Sequence, residues 1–187
     1  MRTIKYHLSI FLFLALAGVV RAEDVCEKLI PAPLQEIVLK KYPDYRIVKS
    51  TDRITNDPYW DKHYYKKGEC LAVASADFDG DKINDFAFFI VMKNSKKPKL
   101  IAALSRDKQW SIEELPIWNE RIEGCYVETM EPGTYEHTKS FDFMESNNNE
   151  RAKITSKNTS IIAGKVESTG VVYVYEKGRW LYVWVSD

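Results

Sequence analysis

Runs of apolar residues separated by short polar turns fill the second half of the chain, a pattern typical of β-strands. Residues 171–175 and 180–185 flank Glu176-Lys177-Gly178, and this spacing predicts a β-hairpin with a glycine-containing turn. Alternate side chains of residues 180–185 form two faces, and both faces are apolar. We therefore expect this strand to lie in the interior of a sheet and not at its edge.

Residues 86–92 form an unbroken apolar run, which indicates a strand that is covered on both faces. A polar turn over residues 93–98 leads into the apolar residues 100–104, so the two runs predict a second hairpin. Further strands are expected over residues 45–49, 71–76, 110–115 and 121–130. Most of the chain is thus predicted to form antiparallel sheet.

One helix is expected near the N-terminus. Two prolines open a stretch in which Leu34, Ile37 and Val38 share one face, and a third proline ends it. Residues 50–69 are polar and are expected to be irregular. The sequence therefore predicts a single α+β domain over residues 23–187, mainly antiparallel β-sheet with an N-terminal helix.

The first 22 residues have the pattern of a removable signal peptide. Arg2 and Lys5 precede an apolar run, and Val20-Arg21-Ala22 places small residues at the −3 and −1 positions of a cleavage site. This pattern predicts an exported protein, either periplasmic or secreted. Cleavage after Ala22 would leave 165 residues with 24 basic and 27 acidic side chains, a net charge of −3.

These properties exclude several classes of protein. A net charge of −3 without a basic run argues against nucleic-acid binding, whose affinity comes from neutralised phosphates. After residue 22 no apolar segment approaches the ~20 residues needed to cross a bilayer, so the mature chain is not expected to span a membrane. With 45% hydrophobic and 13% aromatic residues, the chain is too apolar for a disordered protein.

Three cysteines follow the signal peptide: Cys26, Cys70 and Cys125. In an oxidising compartment this number indicates one disulfide and one remaining thiol, with three possible pairings. We favour Cys26–Cys70, because both residues lie just before structured segments where a bond causes little distortion. Cys125 lies in an apolar strand-like stretch, where a lone cysteine is typically a small buried hydrophobe. Cys70–Cys125 is the main alternative pairing.

The segment D-F-D-G-D-K-I-N-D, residues 77–85, places carboxylates at positions 1, 3, 5 and 9. Four acids in nine residues repel one another unless a cation lies among them, and Ca²⁺ takes oxygen ligands of this kind. The expected ligands are Asp77, Asp79, Asp81 and Asp85, together with the carbonyl oxygen of Ile83. The segment is not an EF-hand, because Phe88 stands at position 12 instead of Glu. The alternative is an acidic turn that is merely solvated.

Residues 76–86 resemble the calcium loop of FG-GAP/VCBS-type repeats, the integrin-like family whose pattern is D-x-[DN]-G-D-G-x-x-D between two strands. The resemblance implies a calcium-binding β-hairpin with the same five ligands. Lys82 departs from this pattern, which has Gly there, and a side chain is strained at that position if its φ angle is positive. The chain has one copy of the loop, whereas a propeller needs about four blades. The resemblance therefore implies the loop and not the propeller fold.

A cluster of aromatic residues lies in the polar segment 50–69 and provides a second candidate site. It consists of Tyr59, Trp60, Tyr64 and Tyr65. Such rings suit a stacking platform for a glycan or a contact surface for a protein partner. Alternatively, they cover one face of the sheet and belong to the core.

Outside the signal peptide there are two histidines, His63 and His137, and neither belongs to a recognisable catalytic or zinc-binding motif. Our leading hypothesis is a non-enzymatic, exported calcium-binding domain that binds a protein or a cell-envelope component. The alternative is a periplasmic or secreted envelope hydrolase with an unrecognised active site.

Overall fold

The computed structural model describes residues 24–64, 68–107, 109–117, 121–140, 142–143, 148–168 and 170–185. The predicted signal peptide lies outside the described residues. The helices are α1 (Val25–Leu29), α2 (Ala32–Lys41) and α3 (Pro58–Tyr64), with a 3₁₀-helix at Ser50–Arg53. The strands are β1 (Tyr45–Ile47), β2 (Val73–Ala76), β3 (Asp85–Met92), β4 (Pro98–Arg106), β5 (Gln109–Leu115), β6 (Cys125–Met130), β7 (Gly133–Glu136), β8 (Lys153–Ser156), β9 (Ser160–Lys165), β10 (Gly170–Glu176) and β11 (Arg179–Val185).

The strands form three antiparallel sheets. In the first sheet the order is β1-β3-β4-β5, and β2 pairs with β3 beside β1. The second sheet has the order β11-β10-β9-β6, and β7 pairs with β8 in a separate hairpin. Both hairpins expected from the sequence are present, as β3–β4 and β10–β11. The prediction of an α+β fold built on antiparallel sheet with an N-terminal helix is confirmed.

The main core lies between the two large sheets. Phe89 and Leu104 from the first sheet pack in one buried cluster with Tyr173 and Tyr182 from the second. The other face of the first sheet is covered by α2, and the other face of the second by the β7–β8 hairpin. Because both faces of β3 are covered, its apolar run is unbroken, as the sequence predicted.

Helix α2 buries Leu34 and Val38 against the first sheet, but the third residue of the predicted apolar face is placed differently. Ile37 is 44% exposed, so only part of the predicted stripe faces the core. The helix is short and lies on one side of the sheet, which limits the width of the face that it buries.

Strand β11 corrects one prediction: it is the edge strand of the second sheet and not an interior strand. Both of its faces are nevertheless buried, by the main core on one side and the β7–β8 hairpin on the other. The preceding chain also bonds to its open edge, where Tyr182 donates to the Asn149 carbonyl and accepts from the Arg151 N–H, each at 2.9 Å. The apolar residues on both faces of β11 reflect the layers that cover it. An edge strand can be covered in this way as well as an interior one.

The expectation that residues 50–69 are irregular is also partly wrong, because this segment contains the 3₁₀-helix and α3. The Asp57 side chain accepts the Tyr59 N–H at 2.8 Å at the start of α3. Pro58 is the first helical residue, where its missing N–H costs nothing. An Asp-Pro pair is therefore the signal that marks this helix in the sequence.

Among the described residues no helix combines the length and apolar character needed to cross a membrane.

A disulfide joins Cys26 to Cys70, the pairing favoured from the sequence, with the Cα atoms 5.2 Å apart. Cys26 is buried in α1, and Cys70 shortly precedes β2, so the bond ties the N-terminal helix to the first sheet. Cys125 is a buried free cysteine at the start of β6. Burial raises the pKa of its thiol to about 12, so the thiol stays protonated at neutral pH.

Replacing both Cys26 and Cys70 by alanine is expected to lower the free energy of unfolding by about 4 kcal/mol, because the disulfide closes a loop of 44 residues. Urea unfolding of the two proteins measures the difference. Cys125→Ala is the matched control, since it removes a buried thiol and leaves the disulfide intact. A double variant that loses no more stability than Cys125→Ala would contradict the expectation.

Candidate metal centre

The acidic segment forms the loop between β2 and β3. These strands are antiparallel neighbours, and Ala76 pairs with Asp85 at the mouth of the loop. The segment is therefore held at both ends by one ladder of backbone hydrogen bonds, and its first and last carboxylates start close together. Asp85 is the first residue of β3 and is fully buried.

Carboxylates of the loop also fix its backbone. Asp77 accepts two N–H groups, from Gly80 through Oδ1 at 2.7 Å and from Lys82 through Oδ2 at 2.8 Å. The Oδ1 of Asp81 accepts the Ile83 N–H at 2.7 Å. Hydrogen bonds between side chains and nearby backbone N–H groups fold the loop around its own acidic side chains. The shape of the loop therefore follows from the spacing of the aspartates.

Asp85 joins the loop to the first sheet. Its Oδ2 accepts the Phe78 N–H at 2.9 Å, and its Oδ1 accepts the Ser105 N–H of β4 at 2.8 Å. Burial raises the pKa of this carboxyl to about 6, against the lowering effect of the two N–H donors, and the negative charges of Asp79 and Asp81 raise it further. A cation among these carboxylates would remove the electrostatic cost of ionising Asp85.

Asp77, Asp79 and Asp85 each offer a carboxylate oxygen, and these three oxygens lie within 4.8 Å of one another. Calcium–oxygen bonds of about 2.3–2.6 Å limit two oxygens on one ion to a separation of about 5 Å. The separation of these oxygens is therefore compatible with one hard cation bound by all three side chains. Each oxygen that accepts one N–H still has a second lone pair for a metal.

Three of the five expected ligands, Asp77, Asp79 and Asp85, form a group of converging carboxylates among the described residues. Asp81 is not part of that group. The group consists of side-chain oxygens, so the Ile83 carbonyl stays a prediction from the sequence.

Arg106, at the end of β4, is a residue of this site that sequence reasoning missed. Its Nε and Nη2 both donate to Oδ2 of Asp79, at 3.1 and 3.0 Å, and Nη2 also donates to the hydroxyl of Tyr175 at 2.8 Å. The Asp79 side chain is 6% exposed, so this ion pair is largely shielded from water on the carboxylate side. No local signal connects positions 79 and 106, because the contact depends on the pairing of β3 with β4.

The middle of the loop packs against the turn between β8 and β9. Gly80 has φ = +84°, and a Cβ atom there would lie 2.7 Å from Nδ2 of Asn158. Phe78, the second residue of the loop, is buried and makes an edge contact with Trp180 of β11, at 6.2 Å between ring centroids. The loop is thereby fixed to both large sheets.

The aromatic cluster is only partly described. Tyr59 is 59% exposed, and its ring lies 4.2 Å from that of His63. Tyr64 donates to Oε1 of Glu167 at 3.0 Å. It also lines a cleft of about 410 Å³ with Tyr126 and other residues of β6 and β9. The side chain of Trp60 and all of Tyr65 lie outside the described residues. Tyr64 is thus the member of the cluster that the structure places at a concave surface.

Both histidines contact a nearby backbone carbonyl. Nδ1 of His63 is 2.6 Å from the carbonyl oxygen of Tyr59, within the exposed helix α3. Nδ1 of His137 is 2.7 Å from the carbonyl oxygen of Thr138.

Comparison with protein-family models, with curated proteins and with solved structures found no match. The function is therefore argued from the loop and its surroundings.

Lys82 has φ = +70°, a left-handed backbone conformation. This is the position at which the FG-GAP/VCBS-type pattern has glycine. Lys82→Gly is expected to raise the free energy of unfolding in EDTA by about 1 kcal/mol, because the left-handed conformation is strained for a residue with a Cβ. Urea unfolding tests this expectation. Lys82→Ala removes the same charge but keeps the strain, so equal stability of the two variants would contradict it.

Without metal, the contribution of Asp85 to the free energy of unfolding is expected to fall as the pH rises from about 4 to 6. Folded Asp85 keeps its proton up to a pKa of about 6, whereas the unfolded chain releases it near the ordinary value of 3.8, so the native state binds more protons in this window. The loss corresponds to about 3 kcal/mol. Urea unfolding in EDTA across this range measures it. Asp85→Asn, which does not titrate, should lack this component, and an identical pH profile would contradict the assignment.

Proposed function

We propose that this protein is an exported, non-enzymatic calcium-binding domain that binds a protein or a cell-envelope component. The observation that carries the proposal is the convergence of Asp77, Asp79 and Asp85 at the mouth of a hairpin loop. The FG-GAP/VCBS-type resemblance, which is carried by the residue order of the same loop, also supports it.

The donor set supports calcium over softer metals. All three converging groups are carboxylates, and the group contains neither histidine nor cysteine among the described residues. Oxygen-only sites suit Ca²⁺, Mg²⁺ and Mn²⁺ rather than zinc or copper. Calcium tolerates irregular geometry and accepts water or carbonyl oxygens in the remaining positions, whereas magnesium demands a near-ideal octahedron. A loop that supplies three fixed carboxylates therefore favours calcium.

Export is supported by the disulfide as well as by the signal-peptide pattern. Cys26 and Cys70 form a disulfide, and such bonds persist in oxidising compartments. A binding role is supported by two clefts, one lined by Tyr64 and one beside the acidic loop lined by Arg106. Neither cleft is lined by a histidine among the described residues, so the runner-up, an envelope hydrolase, gains no specific observation.

Calcium at ten times its dissociation constant is expected to stabilise residues 23–187 by about 1.4 kcal/mol by mass action. This corresponds to a rise in melting temperature of roughly 2–6 °C for a domain of this size. Thermal unfolding in calcium, in magnesium and in EDTA measures the shift. Asp77→Asn should lose it, because one of the three converging carboxylates becomes neutral.

Asp81→Asn is the matched control, since it neutralises a loop carboxylate that lies outside the converging group. Retention of most of the calcium shift in this variant would support the three-carboxylate site. No calcium shift up to millimolar concentrations in the native chain would overturn the proposed function.

A further inference from the structure

A polar cleft of about 410 Å³ opens beside the acidic loop. Its walls come from the end of β4, the β8–β9 turn and the β10–β11 hairpin. Asp79 of the acidic loop also lines it. Three basic side chains, Arg106, Lys157 and Lys177, line the same cleft. Two acids, Asp79 and Glu176, also line it, so the basic side chains outnumber the acidic ones by one. The cleft thus combines basic side chains with direct access to one candidate metal ligand.

Arg106 lies at the junction of the cleft and the loop. Its guanidinium group bonds to Oδ2 of Asp79 and rests over the ring of Tyr175, with Cζ 5.2 Å from the ring centroid. The Arg106 side chain is 46% exposed, so it has space to turn toward solvent in the cleft. The stacking contact on Tyr175 does not depend on Asp79, and it would keep the guanidinium group in the cleft after such a turn.

A metal ion at the loop would compete with Arg106 for Asp79. Oδ2 of this carboxylate receives two N–H bonds from the guanidinium group, while Oδ1 accepts the Asp81 N–H at a longer 3.2 Å. A divalent cation bound to Asp79 would lie within a few ångströms of the arginine charge, and the carboxylate would no longer need that charge as its counterion. Metal binding is thus expected to weaken the Asp79–Arg106 pair.

We propose that the cleft binds the carboxylate of an acidic saccharide through Arg106, and that calcium in the loop increases this binding by releasing Arg106 from Asp79. The inference rests on the proposed calcium-binding function and specifies the ligand class of the adjacent surface. In the absence of calcium, Asp79 occupies the donors that the ligand requires.

The lining of the cleft supports this ligand class. The planar guanidinium fork matches a carboxylate with two parallel hydrogen bonds, and Lys157 adds a second positive charge. Hydroxyl and amide groups from Thr155 and Asn158 provide donors and acceptors for a hydroxylated ring. The volume lies in the range of small-molecule sites. An acid without hydroxyl groups would leave the polar lining without partners.

The two ligands are coupled with a defined sign. If calcium weakens the bond between Asp79 and Arg106, a carboxylate that engages Arg106 must strengthen calcium binding by the same factor, because coupling between two sites is reciprocal. A fivefold or greater increase in each affinity is expected, at the lower end of the usual range for coupled sites.

Isothermal titration calorimetry of residues 23–187 tests the proposal with D-glucuronate as the probe, in calcium and in EDTA. D-Glucose keeps the ring and lacks the carboxylate, and acetate keeps the carboxylate and lacks the ring. Glucuronate is expected to bind at least about fivefold more tightly in calcium. Glucose and acetate are each expected to bind at least about tenfold more weakly than glucuronate, since each loses one set of contacts.

Arg106→Gln is expected to lower the glucuronate affinity at least about tenfold and to abolish the coupling, while it raises the affinity for calcium alone because the competing cation is gone. This opposite effect on the two ligands is not expected of a variant that merely perturbs the fold. Arg121→Gln is the matched control, because Arg121 also pairs with a carboxylate, that of Glu123 at 2.7 Å, and does not line the cleft.

The outcomes separate the two proposals. Absence of calcium binding would overturn the proposed function and this inference together. Calcium binding with no effect on glucuronate, or with no loss in Arg106→Gln, would overturn the inference alone. Acetate binding as tight as that of glucuronate would show that the cleft recognises a bare carboxylate and would overturn the assignment to a saccharide.

Discussion

The carboxylate of Asp85 is the point on which the site depends. One of its oxygens accepts the Phe78 N–H in the loop, and the other accepts the Ser105 N–H in β4. Phe78 in turn packs on Trp180 of the second sheet. A single buried acid at the start of β3 therefore bonds to both the loop and β4, the two segments that carry Asp79 and Arg106. The raised pKa of Asp85 reflects the electrostatic cost of burying a carboxylate at the position where it bonds to both segments.

Much of the fold was predictable because a strand that is buried on both faces has an unbroken run of apolar residues in the sequence. The apolar run at β3 and the hairpin β10–β11 were recognised correctly, since their patterns depend on neighbours in the chain. The hairpin β7–β8 was missed. Its strands are four residues each and alternate between exposed and half-buried or buried positions, so they give a weak periodic signal. The position of β11 at a sheet edge was also mistaken, because burial by separate layers looks the same in sequence as burial within a sheet.

The site was predictable only where it is local. The spacing of four aspartates was enough to propose a metal loop, since all four lie within residues 77–85. The contribution of Arg106 was not accessible, because β4 places it beside Asp79 only after the sheet has formed. The same holds for Asn158, which contacts Gly80 across 78 positions of the chain. Sequence reasoning thus found the acids and missed the cation that neutralises one of them.

The order of the cysteines bears on how the disulfide forms. Cys70 is the next cysteine in the chain after Cys26, so export with the N-terminus leading would present these two thiols to an oxidant before Cys125 arrives. In that case the first pair able to oxidise would be the native pair, and no reshuffling of a wrong bond would be required. Cys125 is afterwards buried at the start of β6, where its protonated thiol is a poor nucleophile toward the existing disulfide. In an exported chain, the order of emergence and the burial of Cys125 would together favour a single oxidation product.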